Sequence, residues 1–168
     1  MDSTLVYKGR VWNFHTPRGL RRVLGKTADP TWAPPEWHYV EEAKARGLQL
    51  ARIPAKRPLK LADSSEIVVQ DGEVGLVRPG EPFTPFAIGE GIIWNDTLYI
   101  PPLGTKQRQV VGELGRFRLD LGEGYLRHGT PHQASIGQPS SHGCIRLADD
   151  DIEWLYDNVP IGTRVFIR

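Results

Sequence analysis

A single cysteine, Cys144, and a single methionine stand in a chain of 168 residues. One cysteine excludes an intramolecular disulfide, so the redox compartment is not legible from cysteine usage. An excess of either charge is lacking too: 21 Lys and Arg against 20 Asp and Glu leave a formal net charge of +1. Proteins that bind phosphate backbones carry a strong basic excess or stripe, so nucleic acid is not an expected partner. The longest basic grouping, Arg18-Gly19-Leu20-Arg21-Arg22, is short, broken by glycine, and reads as a solvated loop. No apolar window approaches the roughly 18 residues of a membrane-spanning helix. Residues Met1 to Arg10 do not show the basic start and apolar run of a signal peptide, so neither a membrane span nor an export signal is expected in the chain as given.

Glycine (18) and proline (14), by contrast, are plentiful and spread along the chain, separating short apolar runs. That pattern predicts many short strands joined by turns. Residues 4–14 form one strand or a hairpin, and Thr16-Pro17-Arg18-Gly19 has the composition of a turn. Pro34-Pro35 fixes an extended lead-in to a helix over 36–46, with Trp37, Val40 and Ala43 or the stem of Lys44 inward. Gly47 stops that helix. Asp71-Gly72 joins strands Glu66–Gln70 and Glu73–Val77 as a hairpin, and Asn95-Asp96 joins Ile92–Trp94 and Thr97–Ile100. Strands at Phe117–Leu121 and Tyr125–His128 follow. Asp149-Asp150-Asp151 opens a second helix, where acidic side chains suit the positive helix end and can cap its free N–H groups. Pro160 and Gly162 end it, and Arg164–Arg168 is a last strand. The fold class is mainly β, a sandwich or partly open barrel with two short helices and no internal repeat.

The chemistry concentrates in 125–147, which holds three of the five histidines (128, 132 and 142) and the lone cysteine. A thiol attacks as thiolate and needs a group to take its proton. Attack on a carbonyl creates an oxyanion, which needs positioned donors. Ser141-His142-Gly143-Cys144 supplies a thiol, an imidazole and a bare backbone within four residues. Arg146 lies two positions on, which in extended chain places it on the face of Cys144. Local spacing by itself makes the adjacent His142 the first candidate for the base. A buried structural cysteine would not require these neighbours. Zinc held by Cys144 with His128, His132 or His142 is the rival. Its spacing matches no common zinc pattern and a second cysteine is absent, so no metal is expected.

The segment resembles the catalytic motif of the L,D-transpeptidases, or YkuD domains, a His-Gly followed after a loop by Ser/Thr-His-Gly-Cys, a hydrophobic residue and Asn/Arg. Here it reads His128-Gly129-Thr130, then Ser141-His142-Gly143-Cys144-Ile145-Arg146. Similarity continues in Leu114-Gly115, Ile136-Gly137, Asp151 and Gly162-Thr163-Arg164-Val165. Thr16-Pro17-Arg18-Gly19 and Pro30-Thr31-Trp32-Ala33-Pro34-Pro35 resemble further family segments. The resemblance implies Cys144 as nucleophile and His128, rather than His142, as base. It implies that Gly129 orients that imidazole through its carbonyl, and that His142, Gly143 and Cys144 shape the oxyanion site. Arg146, with Ser141 and Thr130, would meet the acyl donor. His132 matches no fixed family position, His15 and His38 have no nearby partner in the sequence, and all three are expected to face solvent. Trp32 and Trp37 are expected in core or cleft wall.

The same resemblance implies a two-step acyl transfer on peptidoglycan tetrapeptide stems without cofactor, in the cell envelope. Alternatives are an L,D-carboxypeptidase or other cysteine peptidase on peptide stems, and a non-catalytic cell-wall-binding module. The motif describes neither the acyl acceptor nor an oligomeric state. A single catalytic domain over 1–168 is expected. Residues 48–110 hold more strand-forming sequence than the family pattern and read as an insertion, either scaffold or a wall over the site. Only about fifteen residues precede Thr16, where the family has a hairpin, so the first sheet is expected to be short or rearranged.

Overall fold

Asn95-Asp96, Asp71-Gly72 and Lys8-Gly9 each turn the chain with both residues at positive φ, the geometry that matches the twist of a hairpin. The computed structural model in which they are seen describes residues 4–138 and 141–168. It is mainly β with two α-helices, and its sheets form no closed barrel among the described residues. Ser140, one of the two adjacent serines of the motif segment, lies outside the described residues. The chain divides into two compact units, one running to Trp32 and resuming at Val111–Arg168, the other spanning Ala33–Val110.

In the first unit, Thr4–Tyr7 and Arg10–Asn13 pair antiparallel. A hairpin therefore does precede the Thr16-Pro17-Arg18-Gly19 segment. A four-stranded sheet follows in the order Ile145–Arg146, Leu126–His128, Phe117–Asp120, Gly25–Ala28. Helix α2 (Asp149–Asn158) packs on one face of it. Ile152 of α2 is buried with Val23, Leu119, Leu121 and Ile167, and Phe117, Tyr156 and Ile145 pack against them. Because strand side chains alternate, Phe117 and Leu119 face this core while Arg118 and Asp120 face away from it. The three aspartates that open α2 do not cap it. The capping position is Ala148, with no side-chain hydrogen bond to the first turn. Their favourable effect is limited to the helix dipole.

A second expectation is overturned in this unit. The basic run 18–22 is not a solvated loop. Gly19–Arg22 is a strand that pairs antiparallel with Arg164–Ile167. Its partner lies at the far end of the chain, so no local pattern announces it. Arg21 is also held by Glu123 Oε2 at 2.5 Å and lies over the Tyr125 ring.

The second unit has two cores of its own. Helix α1 (Glu36–Arg46) ends at Gly47, whose φ of 66° lets its N–H reach back to the last carbonyls. It buries Tyr39, Val40 and Ala43, while Trp37 stays half-buried and Lys44 exposed. Tyr39 and Ala43 pack with Leu98 and Ile100. Strand Gln49–Arg52 runs parallel to Thr97–Ile100, which pairs in turn with Ile92–Trp94. The Glu66–Gln70 and Glu73–Val77 hairpin forms a second sheet around Ile67, Val74 and Leu76. Buried polar side chains tie the loops down. Gln107 accepts the Val74 N–H at 2.7 Å and donates to Phe86 O at 2.9 Å. The Arg108 guanidinium donates to Pro34 O and Pro101 O.

Back in the first unit, Gly115 has a φ of 65°, and a Cβ on it would stand 2.7 Å from the backbone of Gly129. Nearby Gly112 also has positive φ but open space around it. Gly112→Ala therefore carries only the left-handed penalty, about 1 kcal/mol. Gly115→Ala adds backbone overlap and should cost roughly 1–3 kcal/mol more. Denaturant melts of both variants check this; equal midpoints would show that the two backbones can separate freely.

Candidate active site

Strand Leu126–His128 runs parallel to Ile145–Arg146, with Arg127 opposite Ile145 and His128 opposite Arg146. Arg127 also opposes Leu119 in the next strand. Arg127 and Ile145 thus take the α2 face, and Leu126, His128 and Arg146 take the other. Cys144 precedes its strand by one residue and continues the register beside Leu126. The Leu126 N–H donates to its sulfur, and the Gly124 carbonyl lies 3.9 Å from Sγ. Strand spacing of about 4.8 Å and a rise of about 3.3 Å per residue put the Cys144 and His128 Cα atoms roughly 8 Å apart, which two side chains can span.

His128 is buried, 5% exposed. Its Nδ1 lies 2.5 Å from the carbonyl oxygen of Gly129. A carbonyl only accepts, so Nδ1 carries the proton and Nε2 keeps its lone pair in the neutral ring. Burial pushes the imidazole below its ordinary value of 6.5; the Gly129 hydrogen bond opposes this, Arg146 adds to it, and Glu113 pulls the other way. Cys144 is half-buried, and burial raises its thiol. The Leu126 N–H and the Arg146 charge offset part of that. Both groups are therefore driven toward their neutral forms, and Arg146 is close enough to act on each.

Gly143 has a φ of 112°, and a Cβ there would come within 2.9 Å of the Tyr125 ring and 3.0 Å of His15 O. No other residue type fits this turn without displacing that wall. Ser141 Oγ donates to the Cys144 carbonyl at 2.5 Å, which pins the loop around the thiol. The His142 ring meets Phe14 edge to face, with centroids 4.3 Å apart. A Cβ on Gly129 would stand 3.2 Å from Asp149 Oδ1 and 3.3 Å from Gly115 Cα.

Thr130 is fully buried. Its hydroxyl accepts the His132 N–H at 3.1 Å, so its polar atom is engaged within its own loop. His132 is exposed and 3.9 Å from Glu113. The His15 side chain is exposed, while His38 makes edge contacts with Trp37 and Tyr39. Among the described residues no cluster of three His, Cys, Asp or Glu could hold a metal ion. A cavity of about 260 Å³ opens beyond Thr130, lined by Asp29, Gly115 and Asp149 among others, but neither Cys144 nor His128 lines it.

Three parts of this wall were not read from sequence. Tyr125 and the His15 carbonyl press on Gly143, and Phe14 supports His142. Tyr125 carried a weak signal, as the aromatic between the Gly122-Glu123-Gly124 turn and the histidine strand. Phe14 and His15 carried none, because their contacts lie more than a hundred residues away along the chain.

Residues 8–167 match the YkuD family, described as the L,D-transpeptidase catalytic domain. Among similar proteins, the probable L,D-transpeptidase ErfK/SrfK of Escherichia coli K12 is 50% identical over 54 residues, 32% of this chain and 17% of that protein. The putative L,D-transpeptidase YkuD of Bacillus subtilis 168 is 40% identical over 87 residues, 50% of this chain and 51% of that protein. The matched stretch spans about half or less of the length of these relatives. With the family match running over nearly all of its residues, the chain belongs to the YkuD family of L,D-transpeptidase catalytic domains.

Proposed function

We propose that this protein transfers an acyl group from a peptidoglycan tetrapeptide stem through a thioester on Cys144. The observation that carries this reading is the parallel register that sets Cys144 and Arg146 beside Leu126 and His128, with Nδ1 of His128 tied to Gly129 O. That hydrogen bond leaves Nε2 with a free lone pair, the state a base for the thiol needs.

The Cys144 thiol gives its proton to His128 Nε2 as Sγ bonds to the carbonyl carbon of the L-centre of the diamino-acid residue. The negative charge on the carbonyl oxygen is met by backbone N–H groups at Gly143 and Cys144, with His142 shaping the same side. The tetrahedral species collapses, the C–N bond breaks, and the His128 proton goes to the departing D-Ala amine. An amine of a neighbouring stem then attacks the thioester and passes a proton to His128. The C–S bond breaks, and the thiol is restored. Arg146 holds the donor's negative charge near the nucleophile, and Ser141 holds the loop that presents it. Thr130 contributes by shaping the loop after His128. The setting is the cell envelope, where such stems are found. Water in place of the amine would make the same machinery an L,D-carboxypeptidase.

Intact-mass measurement with a tetrapeptide donor should show loss of D-Ala and a covalent adduct on the wild type but none on Cys144→Ala. An undiminished adduct on that variant would remove Cys144 from the mechanism. His128→Ala should slow acylation by roughly a hundredfold or more, and His142→Ala by less. Adding an amine acceptor distinguishes cross-linked product from tripeptide alone.

The titration of His128 supplies a second check. A base is competent when unprotonated, and burial lowers the pH at which it loses its proton. The acid limb of kcat/KM for acylation should therefore lie below 6.5, the ordinary histidine value. A limb at or above that value would mean another group limits the step.

A further inference from the structure

The register that joins His128 to Arg146 continues across the whole sheet. His128 lies opposite Arg118, and Arg118 lies opposite Thr27. A single row therefore runs Thr27, Arg118, His128, Arg146 on the face away from α2. Arg118 is flanked along its own strand by Phe117 and Leu119, which pack in the α2 core, so its side chain projects to the side of the base. Several other cations of this unit are engaged with partners. Arg116 meets Glu153, Arg21 meets Glu123, and Lys26 donates to Tyr156 O. Arg118 Nε donates to Thr27 Oγ1 at 3.4 Å, and it makes no ion pair among the described residues. Asp120, next on the same face, uses its carboxylate to accept the Gly122 N–H.

The geometry points to Arg118 as the residue that binds the free carboxylate of the departing D-amino acid, making the site selective for donors that end in a carboxylate. This rests on the acyl transfer proposed above. His128 must face the leaving nitrogen to protonate it. In a terminal amino acid the carboxylate carbon lies two bonds from that nitrogen, about 2.5 Å away. Adjacent strands are about 4.8 Å apart. A carboxylate beside the leaving nitrogen therefore falls within reach of the guanidinium next to His128. Guanidinium pairs with carboxylate through two parallel hydrogen bonds, and the Thr27 contact at Nε leaves the terminal nitrogens available for it. Arg146 stands on the opposite side of His128, on the nucleophile's strand, so the two arginines serve different parts of the donor.

Binding to Cys144→Ala, which cannot form the thioester, reads this directly. Two tetrapeptides, one ending in D-Ala carboxylate and one in D-Ala amide, are titrated with and without Arg118→Gln. The carboxylate peptide should bind Cys144→Ala about tenfold or more tighter than the amide. Arg118→Gln should abolish that preference while leaving amide binding unchanged, and Arg118→Lys should restore part of it. Equal affinities before the change, or an equal loss for both peptides after it, would overturn the assignment. Acylation of the wild type by the carboxylate peptide is followed in parallel. If selective binding depends on Arg118 but no adduct forms, the carboxylate site stands and the transfer reaction is what fails.

Discussion

The parallel pairing of Leu126–His128 with Ile145–Arg146 governs the arrangement of the site. Parallel neighbours need a long connection, and here it is the chain between Gly129 and Cys144, which carries most of the chemical motif. The same pairing couples side-chain direction across the sheet. With Phe117, Leu119 and Ile145 packed toward α2, His128, Arg118 and Arg146 have only the opposite face. A slip of one residue would exchange His128 for Arg127 and dismantle the constellation. The hydrophobic core on one face is therefore what sets the chemistry on the other.

Electrostatics at the site follow from the depth of that face. Burial disfavours charge on the thiol and on the imidazole alike. Cys144 and His128 are thus biased toward neutral thiol and neutral imidazole. Arg146 acts unequally on the two, favouring thiolate and disfavouring imidazolium. The Gly129 carbonyl counters by stabilising the protonated ring.

Close backbone approach is the second structural device. Gly115 lies against Gly129, and Gly143 lies under Tyr125 and the His15 carbonyl, at distances where a Cβ would collide. Arg21 holds Tyr125 from one side, while the strand it belongs to is tied to the C-terminal strand. The turn at Gly143 and Cys144 is thus braced by segments far apart along the chain. The unit Ala33–Val110 is organised separately, around its own two cores and the buried Gln107 and Arg108.

Local order was written in the sequence wherever neighbours along the chain determine it. Asp71-Gly72 and Asn95-Asp96 specify their hairpins, Gly47 ends α1, and Asp149-Asp150-Asp151 marks the start of α2, because these depend on interactions within a few residues. The thiol with its adjacent glycine was legible as a local cluster, whereas the choice of His128 came from the family resemblance, since local spacing pointed to His142. The Gly19–Arg22 strand was not, since its partner is about 140 residues away and its own composition resembles a loop. Nor was the partnership of Tyr125, Phe14 and His15 with the motif, or the Thr27, Arg118, His128, Arg146 row. Those depend on register between strands distant in sequence, and register is decided by burying Leu119, Ile145 and Ile152 together, which only the folded chain does.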